Sequence, residues 1–91
     1  MANRSGWAYG FQQHSGEWLT IAGSAHTAPG LRPSREDAEA ALSLTKLHTW
    51  KRAEGEQLVT AHVTETRHSG VGGRGMAYRI TTGTALPAKA A

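Results

Sequence analysis

Between positions 7 and 11 the chain reads Trp-Ala-Tyr-Gly-Phe, with large and small residues in alternation. Successive side chains of a strand point to opposite faces, so a period of two means one bulky face and one small face. The bulky face is the one whose burial would release the most apolar surface from water. Turn-forming residues follow, Gln12-Gln-His-Ser-Gly-Glu17, and Trp18-Leu-Thr-Ile-Ala22 then reads as the returning strand. A two-residue turn at Ser15-Gly16 would set Leu19 and Ile21 on the face opposite Trp7, Tyr9 and Phe11. A three-residue loop, His14 to Gly16 with Gly16 left-handed, sets all five on one face. The second arrangement makes one continuous apolar surface and is the one expected, with Trp18 turned to the other side.

Residues 23–33 form a connection punctuated by Gly and Pro. A helix is expected after it. Ser34 suits the N-cap, and Glu36, Asp37 and Glu39 are the acids that a helix N-terminus favours. Lys46, Lys51 and Arg52 suit its C-terminal end, with Gly55 as the stop. Helical spacing groups Ala40, Ala41, Leu44, Leu47 and His48 on an inner face. Arg35, Glu39, Ser43, Lys46 and Trp50 fall on the outer one, and Leu42 lies off the main stripe, so either the buried arc is broad or a second surface covers it.

Glu56 to Arg67 alternates again, with Val59, Ala61 and Val63 on one face and Thr60, His62, Thr64 and Thr66 on the other. A glycine-rich loop, His68-Ser-Gly-Val-Gly-Gly-Arg-Gly75, leads into a further strand, Met76 to Ile80. The expected fold is α+β in the order ββαββ, a four-stranded antiparallel sheet with one helix packed on one face. It is one domain: 1–6 loose, 7–82 the core, 83–91 a tail with little to bury. Trp7, Tyr9, Phe11, Leu19, Ile21, Val59, Val63, Met76, Tyr78 and Ile80 would lie under the helix. The other sheet face would carry Gln12, Trp18, Thr20, Thr60, His62, Thr64, Thr66 and Arg79, polar and open.

Composition narrows the functions available. With 91 residues and 38% apolar content the core is small, which favours an oligomer or a protein partner. Cysteine is absent, which removes disulfides, thiolate catalysis and cysteine-type zinc sites. No run approaches the ~18 apolar residues of a membrane span, and the N-terminus lacks the apolar stretch of a signal peptide. No membrane contact and a cytoplasmic location are expected. Seven Arg against three Lys, with frequent Ala, fits a GC-rich bacterial or phage genome.

The net charge of +3 is unevenly placed. Residues 1–33 carry +1, 34–56 carry −1, and 57–91 carry +3 through Arg67, Arg74, Arg79 and Lys89 against Glu65. Arginine beside a glycine-rich loop suits phosphate, because backbone amides come close and the guanidinium fork binds two oxygens. Trp18 and Trp50 both fall on the polar side of their elements, where an indole offers a flat surface to a base or to a partner's side chain. Arg67, Arg74, Arg79, Trp18 and His62 are therefore the candidate nucleic-acid contacts, and Trp18, Trp50 and Gln12 the candidate protein interface.

Two resemblances accompany this reading. Arg74-Gly75-Met76-Ala77-Tyr78 is similar to the opening of the RNP1 strand of RNA-recognition domains, with Met76 where the first aromatic stands and Arg79 where an aliphatic residue is usual. The ββαββ order is not that family's, so its sites are not carried over. Trp7, the hairpin with Gly16, a second aromatic strand and then Ser34-x-x-Asp-Ala-x-Ala-Ala-Leu42 resemble the N-terminal arm-binding modules of phage integrases. They resemble small bacterial ββαβ families of unassigned role equally well. The integrase resemblance implies a sheet laid on DNA and backed by the helix. This chain differs from it in lacking a lysine-rich strand pair and in adding a second hairpin.

Neither metal nor catalytic chemistry stands out. The five histidines, His14, His26, His48, His62 and His68, show no ligand spacing on a helix. No G-x-S-x-G elbow appears, and Ser69 to Gly75 lacks the G-K-[ST] of a phosphate loop. No enzyme, cofactor, metal or small-molecule substrate is expected. The sequence points to a small basic binding protein, nucleic-acid-associated and accessory or regulatory, of bacterial or phage origin. The alternative is a phage-encoded protein-interaction module docking on a host or structural protein, and a homodimer is compatible with both.

Overall fold

The computed structural model describes residues 4–14, 16–20, 31–52, 54–69 and 76–88, with 65–69 and 76 by their backbone. In chain order the elements are β1 (Ser5–Gln12), β2 (Trp18–Thr20), α1 (Arg35–Ser43), a 3-10 turn (Leu47–Thr49), β3 (Gln57–Ser69), β4 (Met76–Ile80) and β5 (Leu86–Pro87). The class is α+β, with one helix and an antiparallel sheet. Among the described residues it has five strands, one more than expected, in the order β1-β2-β4-β3-β5, with β1 also paired to β3. The pairings β1–β2, β2–β4, β4–β3 and β3–β1 therefore return to their starting strand, and the sheet closes on itself. A register shift between Thr64 and Arg67 marks where β3 leaves β1 and runs on along β4. The simple alternation expected as far as Thr66 stops at this bulge.

Closure decides which side of each strand is inside. Along β1 and β3 the opposed pairs include Gly6↔Val63, Ala8↔Ala61 and Gly10↔Val59, alternating with Trp7↔His62, Tyr9↔Thr60 and Phe11↔Leu58. Opposed residues share a face, so the small residues of β1 look into the closed sheet and its aromatics look outward. Beside Gly10 the interior is too tight for even a small side chain from β1. A Cβ at Gly10 would lie 2.5 Å from the Thr20 carbonyl oxygen and 3.1 Å from Leu19 Cγ. Ala8, Leu19, Val59, Ala61, Val63, Tyr78 and Ile80 fill this inner core. The expectation that Trp7, Tyr9 and Phe11 join Val59 and Val63 is thus corrected by the pairing register.

The first hairpin is corrected for the same reason. Its register is Phe11↔Thr20 and Gln12↔Leu19, and Gln13 N–H donates to the Trp18 carbonyl at 3.0 Å. Gly16 has the expected left-handed backbone, φ 82°. The loop nevertheless spans 14–17, one residue longer than the favoured version, and one residue exchanges every face. Leu19 goes inside, while Trp18 and Thr20 share the outer face with Trp7, Tyr9 and Phe11. Gln12 lies opposite Leu19, on the other face from Trp18. Ile21 lies outside the described residues.

The helix starts as expected and stops early. Ser34 Oγ accepts the Asp37 N–H at 3.2 Å. The helix ends at Ser43, because hydroxyls take its last carbonyls: Ser43 Oγ donates to Ala40 O at 2.6 Å and Thr45 Oγ1 to Leu42 O at 2.7 Å. Gly55, φ 80°, serves the turn before β3 instead of capping a long helix. Ala38 and Leu42 are buried, so the buried arc does reach Leu42, whereas Leu44 is 89% exposed and the expected inner stripe is wrong there. Phe11, Leu42, Leu47 and Leu58 form a second cluster between the outer sheet face and the helix, with Tyr9 and Ala88 against it.

The face expected to be polar and open is largely covered. Thr20 and Thr60 are both fully buried. Thr20 Oγ1 donates to Phe11 O at 3.2 Å and accepts from Gln13 Nε2 at 3.1 Å. Thr60 Oγ1 donates to Glu39 Oε1 at 3.0 Å and accepts from Arg35 Nε at 3.3 Å, so Arg35 and Glu39 meet the sheet where solvent was expected. The segment expected as a tail also packs. Thr84 Oγ1 accepts from His62 N–H at 3.1 Å, Ala88 N–H donates to Leu58 O at 3.0 Å, and Ala85 lies against the inner core.

Candidate functional site

Cross-strand pairing lines up two rows on the outer surface. Ser5 opposes Thr64, Thr64 opposes Arg79 and Arg79 opposes Trp18, a row that crosses β1, β3, β4 and β2. In the neighbouring row Arg32 opposes Trp7 and Trp7 opposes His62. Because the sheet closes, these rows lie on a convex surface.

In the first row the Arg79 guanidinium carbon lies 6.0 Å from the centre of the half-buried Trp18 ring, at the outer range of a cation–π contact. Arg79 Nη2 also lies 3.4 Å from Glu17 Oε1. Both side chains are more than half exposed (57% and 62%), so water screens the pair. Ile80 N–H donates to the Glu17 carbonyl at 2.8 Å and fixes that residue beside β4. A cavity of about 370 Å³ opens next to the pair, walled by Gln12, Glu17, Arg79 and Thr82.

In the second row His62 and Trp7 meet edge to face, with ring centres 5.7 Å apart. His62 Nδ1 is 2.8 Å from Thr81 Oγ1, which orients the imidazole. A second cavity of about 380 Å³ lies against Trp7, Arg32 and His62.

The structure thus brings Trp18 and Arg79 into contact and places His62 in the adjacent row. The Arg67 backbone pairs with Tyr78 on the β3–β4 hairpin, and its side chain lies outside the described set, as does all of Arg74. Trp50 follows the 3-10 turn, off the sheet, and is 42% exposed. Gln12 is half-buried and its Nε2 donates to the Gly16 carbonyl at 3.2 Å.

Trp7 and Arg32 were missed as site residues. Sequence patterning places Trp7 in the core and Arg32 in the connection 23–33. The signal that could have found Trp7 is the run of small residues Gly6, Ala8 and Gly10, which marks the tight side of β1. Away from these rows Arg35 is engaged with Glu39 at 3.6 Å, and Glu56 with Gln13 Nε2 at 2.7 Å.

Among the described residues no three His, Asp or Glu side chains converge as a metal site. None of the described helices is long and apolar enough to cross a membrane. No protein-family model, curated protein or solved structure matches the chain.

Proposed function

We propose that this is a small, non-catalytic nucleic-acid-binding protein, an accessory or regulatory factor, that holds a strand across the outer surface of β2 and β4. The observation that carries the reading is Trp18 beside Arg79. An indole can stack on a base of any identity, and a guanidinium next to it can take the adjoining phosphate through two N–H groups. The +3 charge of residues 57–91, with Arg67 and Arg74 among its cations, adds a general attraction for a polyanion, and His62 extends the contact one row further. The exposed Glu17–Arg79 pair holds the guanidinium in place at a cost of no more than about 1 kcal/mol to a competing phosphate. A convex surface of this kind favours a flexible single strand over a rigid duplex.

Fluorescence anisotropy with labelled single-stranded and duplex oligonucleotides across a salt series tests the reading. Binding should weaken with salt, and R79A should reduce the single-strand slope by about 0.7, the share of one phosphate contact. W18A should lower affinity by about 1–3 kcal/mol for each base stacked, while W50A leaves it unchanged. Undetectable or salt-insensitive binding of both probes rejects it.

A protein-docking role is favoured by a different observation, the exposure of Leu44 and Trp50 after the helix. There the pattern of variants reverses: W50A weakens capture of a nuclease-treated protein partner, and R79A does not.

A further inference from the structure

Arg32 lies in the connection to α1, yet its backbone is held like that of a strand residue. Its N–H donates to the Trp7 carbonyl at 2.9 Å, and its carbonyl accepts the Trp7 N–H at 2.8 Å. Gly6 permits the close approach: a Cβ there would meet Leu31 Cβ at 2.8 Å and the Arg32 carbonyl oxygen at 3.1 Å. Opposed residues of an antiparallel bridge share a face, so the Arg32 side chain leaves the backbone beside Trp7. Its Nε is buried and has no hydrogen-bond partner. A charged N–H taken out of water without an acceptor is a strong bond left unmade, and a native fold rarely keeps one without a use.

On the far side of Trp7 stands His62, its Nδ1 engaged by Thr81 Oγ1 at 2.8 Å. When the threonine hydroxyl donates this bond, Nε2 carries the ring proton and is itself a donor. Arg32, Trp7 and His62 line the cleft of about 380 Å³, and among the described residues that line it none is an acid. An oxyanion entering it meets donors and no like charge among these described residues.

We propose that this cleft binds a phosphate group, held by Arg32 and His62 against Trp7. Phosphate offers oxygens to the guanidinium fork and to the imidazole at once, which suits two donors flanking one ring. The group is supplied either as free phosphate or as the terminal phosphate of a nucleic-acid strand, since the chemistry at the cleft is the same. The cleft shares His62 with the strand-binding reading but uses neither Trp18 nor Arg79, so the inference goes beyond that reading.

NMR of the isotope-labelled full chain reads the Arg32 Nε–H and Trp7 indole N–H signals directly. Inorganic phosphate, a 5′-phosphorylated oligothymidylate and its 5′-hydroxyl counterpart are titrated at an ionic strength held constant with chloride. A saturable shift of both signals with inorganic phosphate supports the proposal and assigns free phosphate. A shift with the 5′-phosphorylated strand that exceeds the 5′-hydroxyl strand supports it and assigns the terminal group.

In R32Q the backbone bridge to Trp7 needs no side chain, and phosphate affinity read at the Trp7 signal should fall by about tenfold or more. H62A is the milder companion, with weaker binding and an otherwise folded spectrum. Signals that respond to neither phosphate probe beyond chloride, or an R32Q protein that binds phosphate as tightly as the parent, overturn the proposal. Strand binding sensitive to W18A and R79A is read separately, so either reading can fail while the other stands.

Discussion

A methyl group at position 10 has nowhere to go, since it would press on the Thr20 carbonyl oxygen at 2.5 Å, which is backbone and cannot rotate aside. Gly10→Ala should therefore push β2 away from β1 and destabilise the fold by about 1–3 kcal/mol, as overpacking does. Urea unfolding should show a lower midpoint at an unchanged slope. A neutral result would mean that Gly10 does not face Leu19. The alternation Trp-Ala-Tyr-Gly-Phe identified the strand correctly and misled about its sides. In a closed sheet the small residues are the inward ones, and Ala8 is 1% exposed while Trp7 and Tyr9 are only half-buried. That inversion is what frees Trp7 to stand between Arg32 and His62.

At the scale of elements, starts were more legible than ends. The Ser34 cap announced α1, and the period of two announced β1, β3 and β4. The helix end was hidden because Ser43 and Thr45 act through hydroxyl bonds to carbonyls, which helical spacing does not register. The face of β2 was hidden because the 14–17 loop exceeds the favoured loop by one residue. The helix supplies a sharp check. Leu42→Ala should cost about 2–5 kcal/mol. Leu44→Ala, at a position 89% exposed, should stay within about 0.5 kcal/mol of the parent. The opposite order, which the expected stripe implies, would show that the helix packs by its other face. The short β5 was illegible for a plainer reason: Leu86–Pro87 is two residues long and pairs through β3 backbone, leaving no periodic trace.

For the molecule as a whole, a thin apolar complement proves enough because it is divided. One cluster fills the closed sheet, and another sits between that sheet and α1 with Ala88 against it. The alternation along the strands suggests a single layer with one side left open. The buried Thr20 and Thr60 show that side to be occupied where the helix and loops cross it, with polar groups satisfied by Gln13, Arg35 and Glu39. The outer surface that remains carries Trp18, Arg79, Trp7, Arg32 and His62, and both proposed binding roles rest on it. The long-range pairing that closes the sheet was beyond sequence patterning, because alternation gives the faces of a strand and says nothing of its neighbours.

Everything proposed for that surface depends on Leu19 pointing inward and the aromatics of β1 pointing out. The nuclear Overhauser contacts of the Leu19 methyl groups test this directly. Contacts to Gly10 and to the Tyr78 ring, its opposed residue on β4, are the predicted result. Contacts to the Trp7 and Tyr9 rings instead would contradict the closed sheet and the site built on its outer face.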